Sequence, residues 1–150
     1  MQAQIIIVSI SAQETHQLRA AILRPGQTSE QQVYPNDEMP VSFHAGAFLD
    51  GELIGIASVF HEAPPGETDL GAWRLRGMAV QEQARRQGVG RLLLESCLEH
   101  IEGMGGERLW CNGRVSALEF YHRLGFQERG EIFNIPESGP HYQLMRSIRI

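Results

Sequence analysis

With 150 residues, 42% of them hydrophobic and 21% charged, the chain has the composition of an ordinary folded globule, long enough to bury about two-thirds of its unfolded surface. Its net charge of −5 argues against nucleic acid as the main partner, because phosphate binding needs concentrated lysine and arginine. No apolar stretch approaches the ~20 residues of a membrane span, so no membrane partner is expected and the chain reads as a single domain, 1–150.

Ile5 to Ile10 is β-branched and predicts a first strand. The run lacks a basic flank before it and a small-residue cleavage site after it, so it is not a signal peptide and a cytoplasmic protein is expected. Ser11 can cap a helix carrying Leu18, Ala21 and Ile22 at helical spacing, which Arg24-Pro25-Gly26 ends. Gln27 to Pro40 is polar and without period; it predicts a long loop with at most one helical turn, and loops of that length in a small domain are often functional. Asp50-Gly51 between Ala45–Leu49 and Glu52–Phe60 predicts a tight hairpin. Ala63-Pro64-Pro65-Gly66 turns the chain again. Ala72 to Val80 then alternates as a strand with Trp73, Leu75 and Ala79 on one side, and Gly77 interrupts it as a bulge or a close backbone approach.

From Val89 the apolar positions Val89, Leu93, Cys97 and Ile101 recur every four residues, with Leu92, Leu94 and Leu98 widening the stripe until Gly103 and Gly105-Gly106. Arg108 to Cys111 predicts a short strand. Ser116-Ala117-Leu118-Glu119 has the form of a capping box, while Asn112 is an alternative cap for a helix starting earlier; Gly125 stops the helix either way. Phe126 to Ile135 and Tyr142 to Ile150 are the last strands. The order predicts an α/β (α+β) sheet with helices on both faces. Cys97 and Cys111 are too few for a disulfide framework and predict buried free thiols. The six histidines show no H-x-x-x-H spacing and no Cys-x-x-Cys occurs, so no metal site is expected.

Ala84 to Gly90, Ala-Arg-Arg-Gln-Gly-Val-Gly, carries the chemistry. A strand entering a glycine turn and then a helix directs the turn's N–H groups and the positive end of the helix dipole at one point, an anion site. Gly88 and Gly90 remove side chains where a phosphate approaches, and Arg85, Arg86 and Arg91 add charge. From the loop alone, a helix start with solvated arginines reads equally well. A Walker A loop needs Gly-Lys-Ser/Thr and a dinucleotide fingerprint needs a third glycine and a following acid; neither is present.

Arg85-Arg86-Gln87-Gly88-Val89-Gly90 resembles the Q/R-x-x-G-x-G/A signature of the GNAT N-acetyltransferase superfamily, and Leu75 to Val80 looks like that family's fourth strand. Leu109-Trp110-Cys111-Asn112 and the segment Ala117 to Phe126 are similar to its fifth strand and its A-x-x-F-Y-x-x-x-G-F stretch. The resemblance implies the GNAT fold, with a central, mostly antiparallel mixed sheet, and an enzyme that uses acetyl-CoA. It implies that amides of Gln87, Gly88, Val89, Gly90 and Arg91 cradle the CoA pyrophosphate, that Arg85 shapes the loop, and that Arg86 adds charge. Met78, Ala79 and Val80 would hold the pantetheine arm as an added strand, with the Met78 amide polarising the thioester carbonyl. Tyr121 falls where many relatives place the acid for the leaving thiolate, and Asn112 where a side chain touches pantetheine.

The implied reaction is direct attack by a primary amine in a ternary complex. An acceptor ammonium with pKa near ~10 needs a base, and Glu62, His61, Glu67, Asp69, Glu131 and His141 are the candidates. The fourth strand offers Arg74 and Arg76 where some relatives carry a glutamate. Arg76 can then neutralise phosphate or select an acidic acceptor. Phe43, His44, Phe60, Phe133 and His141 are candidates for the acceptor pocket. A non-catalytic acyl-CoA sensor and an enzyme for longer acyl-CoAs are the competing readings. Many relatives dimerise, and a homodimer is compatible with the resemblance, but no stretch marks an interface.

Overall fold

Ser11 opens the first helix as its spacing predicts: its Oγ accepts from the Glu14 amide at 3.2 Å and the Glu14 carboxylate accepts from the Ser11 amide at 2.9 Å. The computed structural model describes residues 4–149, so Ile150, the expected end of the last strand, lies outside the described residues. Helix α1 spans Ala12–Leu18 and widens into a π-helical turn over Arg19–Leu23. Because the capping box satisfies two otherwise orphaned donors, Ser11→Ala is expected to cost about 1 kcal/mol of stability, read from the shift of a urea unfolding midpoint.

Two compact units divide the chain, one built from 1–60 and 75–100, the other from 61–74 and 101–150. In the first, β1 (Ile5–Ser9) pairs antiparallel with β2 (Phe43–Leu49), and β2 with β3 (Glu52–Phe60). Asp50 and Gly51 sit at φ 50° and 80°, the two left-handed positions a two-residue hairpin turn needs. Strand β4 (Ala72–Val80) follows β3 in the sheet. Helix α2 (Val89–Gly103) rests on β3 at Gly55, where an added Cβ would stand 3.0 Å from Val89 Cγ1 and 3.1 Å from Leu93 Cδ1. Val89, Leu93, Cys97 and Ile101 are all buried, and so is Leu94. Leu92 is not; it is 36% exposed, because a residue 100° round the helix on that side leaves the buried stripe.

In the second unit the first residues of β4 run parallel to β5 (Arg108–Arg114), with Ala72 to Arg74 opposite Arg108 to Trp110. β5 pairs antiparallel with β7 (Gly139–Ser147), which pairs with the outer strand β6 (Gln127–Ile135). The seven strands make one mixed sheet in the order β1-β2-β3-β4-β5-β7-β6. Helix α3 spans Leu118–Arg123. The capping box expected at Ser116 does not form: β5 stays paired with β7 as far as Arg114, and a 3-10 turn over Val115–Ala117 absorbs Ser116, leaving Ala117 at the cap. Asn112 caps nothing, since it lies in β5 opposite Gln143. Gly125, at φ 90°, ends α3 as expected. Among the described residues no helix is long and apolar enough to cross a membrane.

Candidate functional site

Gly77 breaks the regular backbone of β4 at φ 69°. A Cβ there would stand 3.1 Å from Tyr34 Cε2 and 3.3 Å from Arg19 Nε, so a side chain at this position would crowd both in addition to straining the backbone. Met78, Ala79 and Val80 follow, with Ala79 buried in a cluster with Ile10, Leu18 and Ile56. The Gln81 amide then bonds Ile54 O at 2.8 Å, which fixes where the chain leaves the sheet.

The loop beyond it is shaped by its own residues. Arg85 turns back so that its Nε donates to Val80 O at 3.0 Å. That carbonyl is therefore already engaged. Ala84 is buried and anchors the loop from below, while Arg85, Arg86, Gln87 and Gly88 are exposed. Arg86 and Gly88 adopt φ 67° and 79°; such alternation turns successive amides toward one side, the geometry of an anion nest. Nothing lies within 4 Å of where a Cβ on Gly88 would stand, so the space before the loop is open. The first rung of α2 is Leu92 N to Gly88 O at 3.1 Å. The amides of Val89 and Gly90 precede that rung and face outward along the positive end of a helix of 15 residues. These residues suit a pyrophosphate.

A polar cluster, not expected from the sequence, is buried beside Gly77 in the same unit. Arg19, wholly buried, grips Asp37 through two hydrogen bonds of 2.8 and 3.0 Å, and donates to Gln32 O at 2.8 Å and Ser58 Oγ at 3.0 Å. Burial alone would push the Asp37 carboxyl up, but hydrogen bonds from Arg19 and from the Tyr34 amide outweigh it and hold the pKa below the ordinary carboxylate value. His44 donates from Nε2 to Asp37 O at 3.0 Å, since a carbonyl can only accept, and its Nδ1 meets Ser58 Oγ at 2.7 Å. Arg19 Cζ lies 3.8 Å and Arg76 Cζ 4.1 Å from the Tyr34 ring centroid. The polar stretch 27–40 is thus a folded strap that brings Tyr34 against β4 next to Met78. His44 and Phe60, offered as acceptor-pocket lining, are both buried around this cluster, Phe60 edge-on to Tyr34 and His44. Phe43 stacks on His100 at 4.7 Å.

The second unit holds Asn112 and Tyr121. Asn112 is half-buried in β5. The Tyr121 ring packs edge-on to Phe126 at 5.6 Å and to Phe120 at 5.3 Å. It also lies flat enough on β5 that a Cβ at Gly113 would come within 2.9 Å of Tyr121 Cε2. Burial, reinforced by the Cys111 thiol and opposed by Arg114, pushes the phenol above its usual range, so Tyr121 stays protonated. Cys97 and Cys111 are free and buried, and burial pushes each thiol up to about 12. Neither is a nucleophile.

Most of the candidate bases prove to be engaged. Glu62 pairs with Arg74 at 3.0 Å, and Glu67 takes Arg129 at 2.9 Å through both oxygens. Asp69 binds Arg108, whose hydrogen bond lowers its pKa. His61 meets Leu70 O at 2.7 Å and stacks on Trp73, while His141 is buried and bonds Gly139 O at 2.7 Å beside Phe133. Glu131 is exposed in β6.

A mixed sheet whose fourth strand is interrupted at Gly77 and then runs through a glycine-containing turn into a helix has the architecture that the resemblance implies for an acyl-CoA-dependent acetyltransferase. The chain belongs to the GNAT acetyltransferase family, whose family model, Acetyltransferase (GNAT) family, matches residues 12–126. It is 39% identical over 143 residues to YitI of Bacillus subtilis (strain 168), described as an uncharacterized N-acetyltransferase, covering 95% of this chain and 96% of that protein. Among solved structures it resembles Escherichia coli ElaA, at 20% identity and a TM-score of 0.76 over 95% of this chain and 99% of the other. An aminoglycoside 6′-N-acetyltransferase complexed with coenzyme A aligns with a TM-score of 0.71 at 16% identity, covering 97% and 98% of the two chains. These last two likenesses concern the fold. Family and relative together make this chain an N-acetyltransferase that uses acetyl-CoA.

Proposed function

We propose that the chain transfers the acetyl group of acetyl-CoA to a primary amine by direct attack, in a single domain acting in the cytoplasm. The observation that carries the reading is the nest at Arg86 and Gly88 opening onto the first turn of α2. In this reading the amides of Gln87 to Arg91 take the pyrophosphate, Met78 and Val80 offer backbone groups to the pantetheine arm, and Asn112 adds a side-chain contact. Bound acetyl-CoA supplies a thioester whose carbonyl oxygen gains charge as the amine adds, and the Met78 amide is the fixed donor for that charge. Tyr121 keeps its proton until a thiolate is there to receive it. Direct attack is favoured over a covalent acetyl-enzyme because both thiols are buried and held protonated. With Glu62, Glu67 and Asp69 tied to arginines, no base is assigned to them, and the acceptor reacts as the neutral amine fraction present in solution.

The test combines calorimetric titration with acetyl-CoA and a turnover assay across a panel of primary amines, on the wild type and Tyr121→Phe. The variant is expected to keep its acetyl-CoA affinity within about twofold while kcat falls about 100-fold, the ordinary worth of a placed acid. Because burial raises the phenol above its usual ~10, the rate should climb with pH as the amine deprotonates, without an alkaline decline below about pH 10. An unchanged kcat in Tyr121→Phe removes Tyr121 from the reaction; a folded wild type that binds no acetyl-CoA removes the reading.

A further inference from the structure

At the start of β5 and the end of β7, in the second unit, a surface cavity of ≈ 410 Å³ is lined by Arg108, Arg146 and Arg149, with Gln127 and Ser147 between them. Among the described residues no Asp or Glu lines it. It shares no residue with the loop of Arg85 to Arg91. It also lies at the opposite end of β5 from Asn112, four residues and about 13 Å along the strand from Arg108.

The three arginines are not equivalent. Arg108 puts Nε and Nη2 on Asp69 at 2.6 Å each, and Arg149 puts its guanidinium on Glu102 at 2.8 and 3.0 Å. Arg146 has no such partner among the described residues. Its Nε donates to Ser147 O at 2.8 Å and its Nη1 to Leu124 O at 2.7 Å, which accounts for two of its five N–H donors and none of its charge. It is half-buried, and burial lowers its pKa with no opposing anion. A partly buried guanidinium held by carbonyls alone is a cost to the fold, one that an anion delivered into the cavity would offset.

We propose that this cavity is a second ligand site, taking a small oxyanion of phosphoryl or polycarboxylate chemistry on Arg146, the one of its three lining arginines without a carboxylate partner among the described residues. A guanidinium fork matches the paired oxygens of either group, and Gln127 and Ser147 supply further neutral donors.

The test uses the full chain saturated with coenzyme A, so that the loop is occupied and cannot take the probe. Inorganic phosphate and citrate are titrated separately by calorimetry at constant ionic strength. Saturable binding of one or both is expected, at least about tenfold weaker in Arg146→Met, as for loss of a charge-assisted contact, with coenzyme A affinity the same in both proteins. Phosphate alone binding assigns a phosphorylated ligand; citrate alone assigns a carboxylate. If Arg146→Met does not fold, Arg149→Gln, at an exposed position, carries the same comparison. Absence of saturable binding of either probe up to about 10 mM, where a ~1 mM site is filled, overturns the proposal. So does equal binding by wild type and variant. A failure of the acetyl-CoA reading shows separately, as missing coenzyme A binding, and leaves the Arg146 comparison readable.

Discussion

Asp37→Asn is expected to remove about 3–5 kcal/mol of folding stability, a large part of the 5–15 kcal/mol that holds a domain of this size together. The carboxylate is buried against an Arg19 that is itself wholly buried and cannot lose its proton. Asparagine keeps the shape but leaves the guanidinium charge without its counter-ion. The same change loosens the strap of residues 27–40, since Asp37 also accepts from the Tyr34 amide at 2.9 Å. Removing both partners in Arg19→Met with Asp37→Asn is expected to cost less than the sum of the single changes, because no charge is then stranded. Denaturant unfolding of the four proteins measures this directly. A loss under about 1 kcal/mol for Asp37→Asn would mean that the pair is solvated in solution.

The pH dependence of that stability has a definite sign. Asp37 has a folded pKa below its unfolded value of about 3.9, so its contribution is fully present above that value and is lost as pH falls through the depressed folded value. Wild-type stability should therefore drop on acidification below about pH 4, while Asp37→Asn lacks this part of the drop. The two unfolding curves converge in acid.

What the sequence made legible follows from how local each signal is. Asp50-Gly51, Gly77 and the Arg85 to Gly90 loop each act through their own backbone, and each of the three holds a glycine at positive φ. The four-residue recurrence from Val89 to Ile101 found α2 because a buried stripe repeats along one helix. The Arg19 cluster was not legible: its partners are 18 and 39 residues away, and nothing local distinguishes Asp37 from a solvated loop acid. One signal was available, an arginine at a position flanked by Leu18 and Ala20 on the apolar side of α1. Ser116 failed for a related reason, since the pairing of β5 with β7, a tertiary event, extended the strand and overrode a capping pattern that was locally sound. For the site itself, glycine spacing left the loop open between an anion cradle and a helix start with solvated arginines; the choice between them, like the role given to Tyr121, came from the family resemblance, and the protonated state of Tyr121 comes from burial against β5.

Gly88→Asp is expected to weaken acetyl-CoA binding about 100-fold or more while leaving the fold intact. The position is exposed, its side-chain direction is empty out to 4 Å, and it makes no core contact, so the folding cost is limited to placing a non-glycine residue at φ 79°. Aspartate tolerates that region better than most residues, at roughly 1–2 kcal/mol. Its carboxylate would stand in front of the Val89 and Gly90 amides, competing for the positive end of α2 and repelling a diphosphate. Losing two or more charge-assisted hydrogen bonds accounts for the magnitude. Gly88→Ala separates the causes: it carries the strain and a methyl group without the charge, and should fall between the two proteins, about tenfold weaker than wild type. Calorimetric titration of the three proteins, with circular dichroism to show that each is folded, reads the result. Equal affinities would place the pyrophosphate away from this loop. A loss in Gly88→Asp that high salt largely relieves, beside a salt-insensitive loss in Gly88→Ala, would show charge and backbone geometry acting separately at the mouth of the helix.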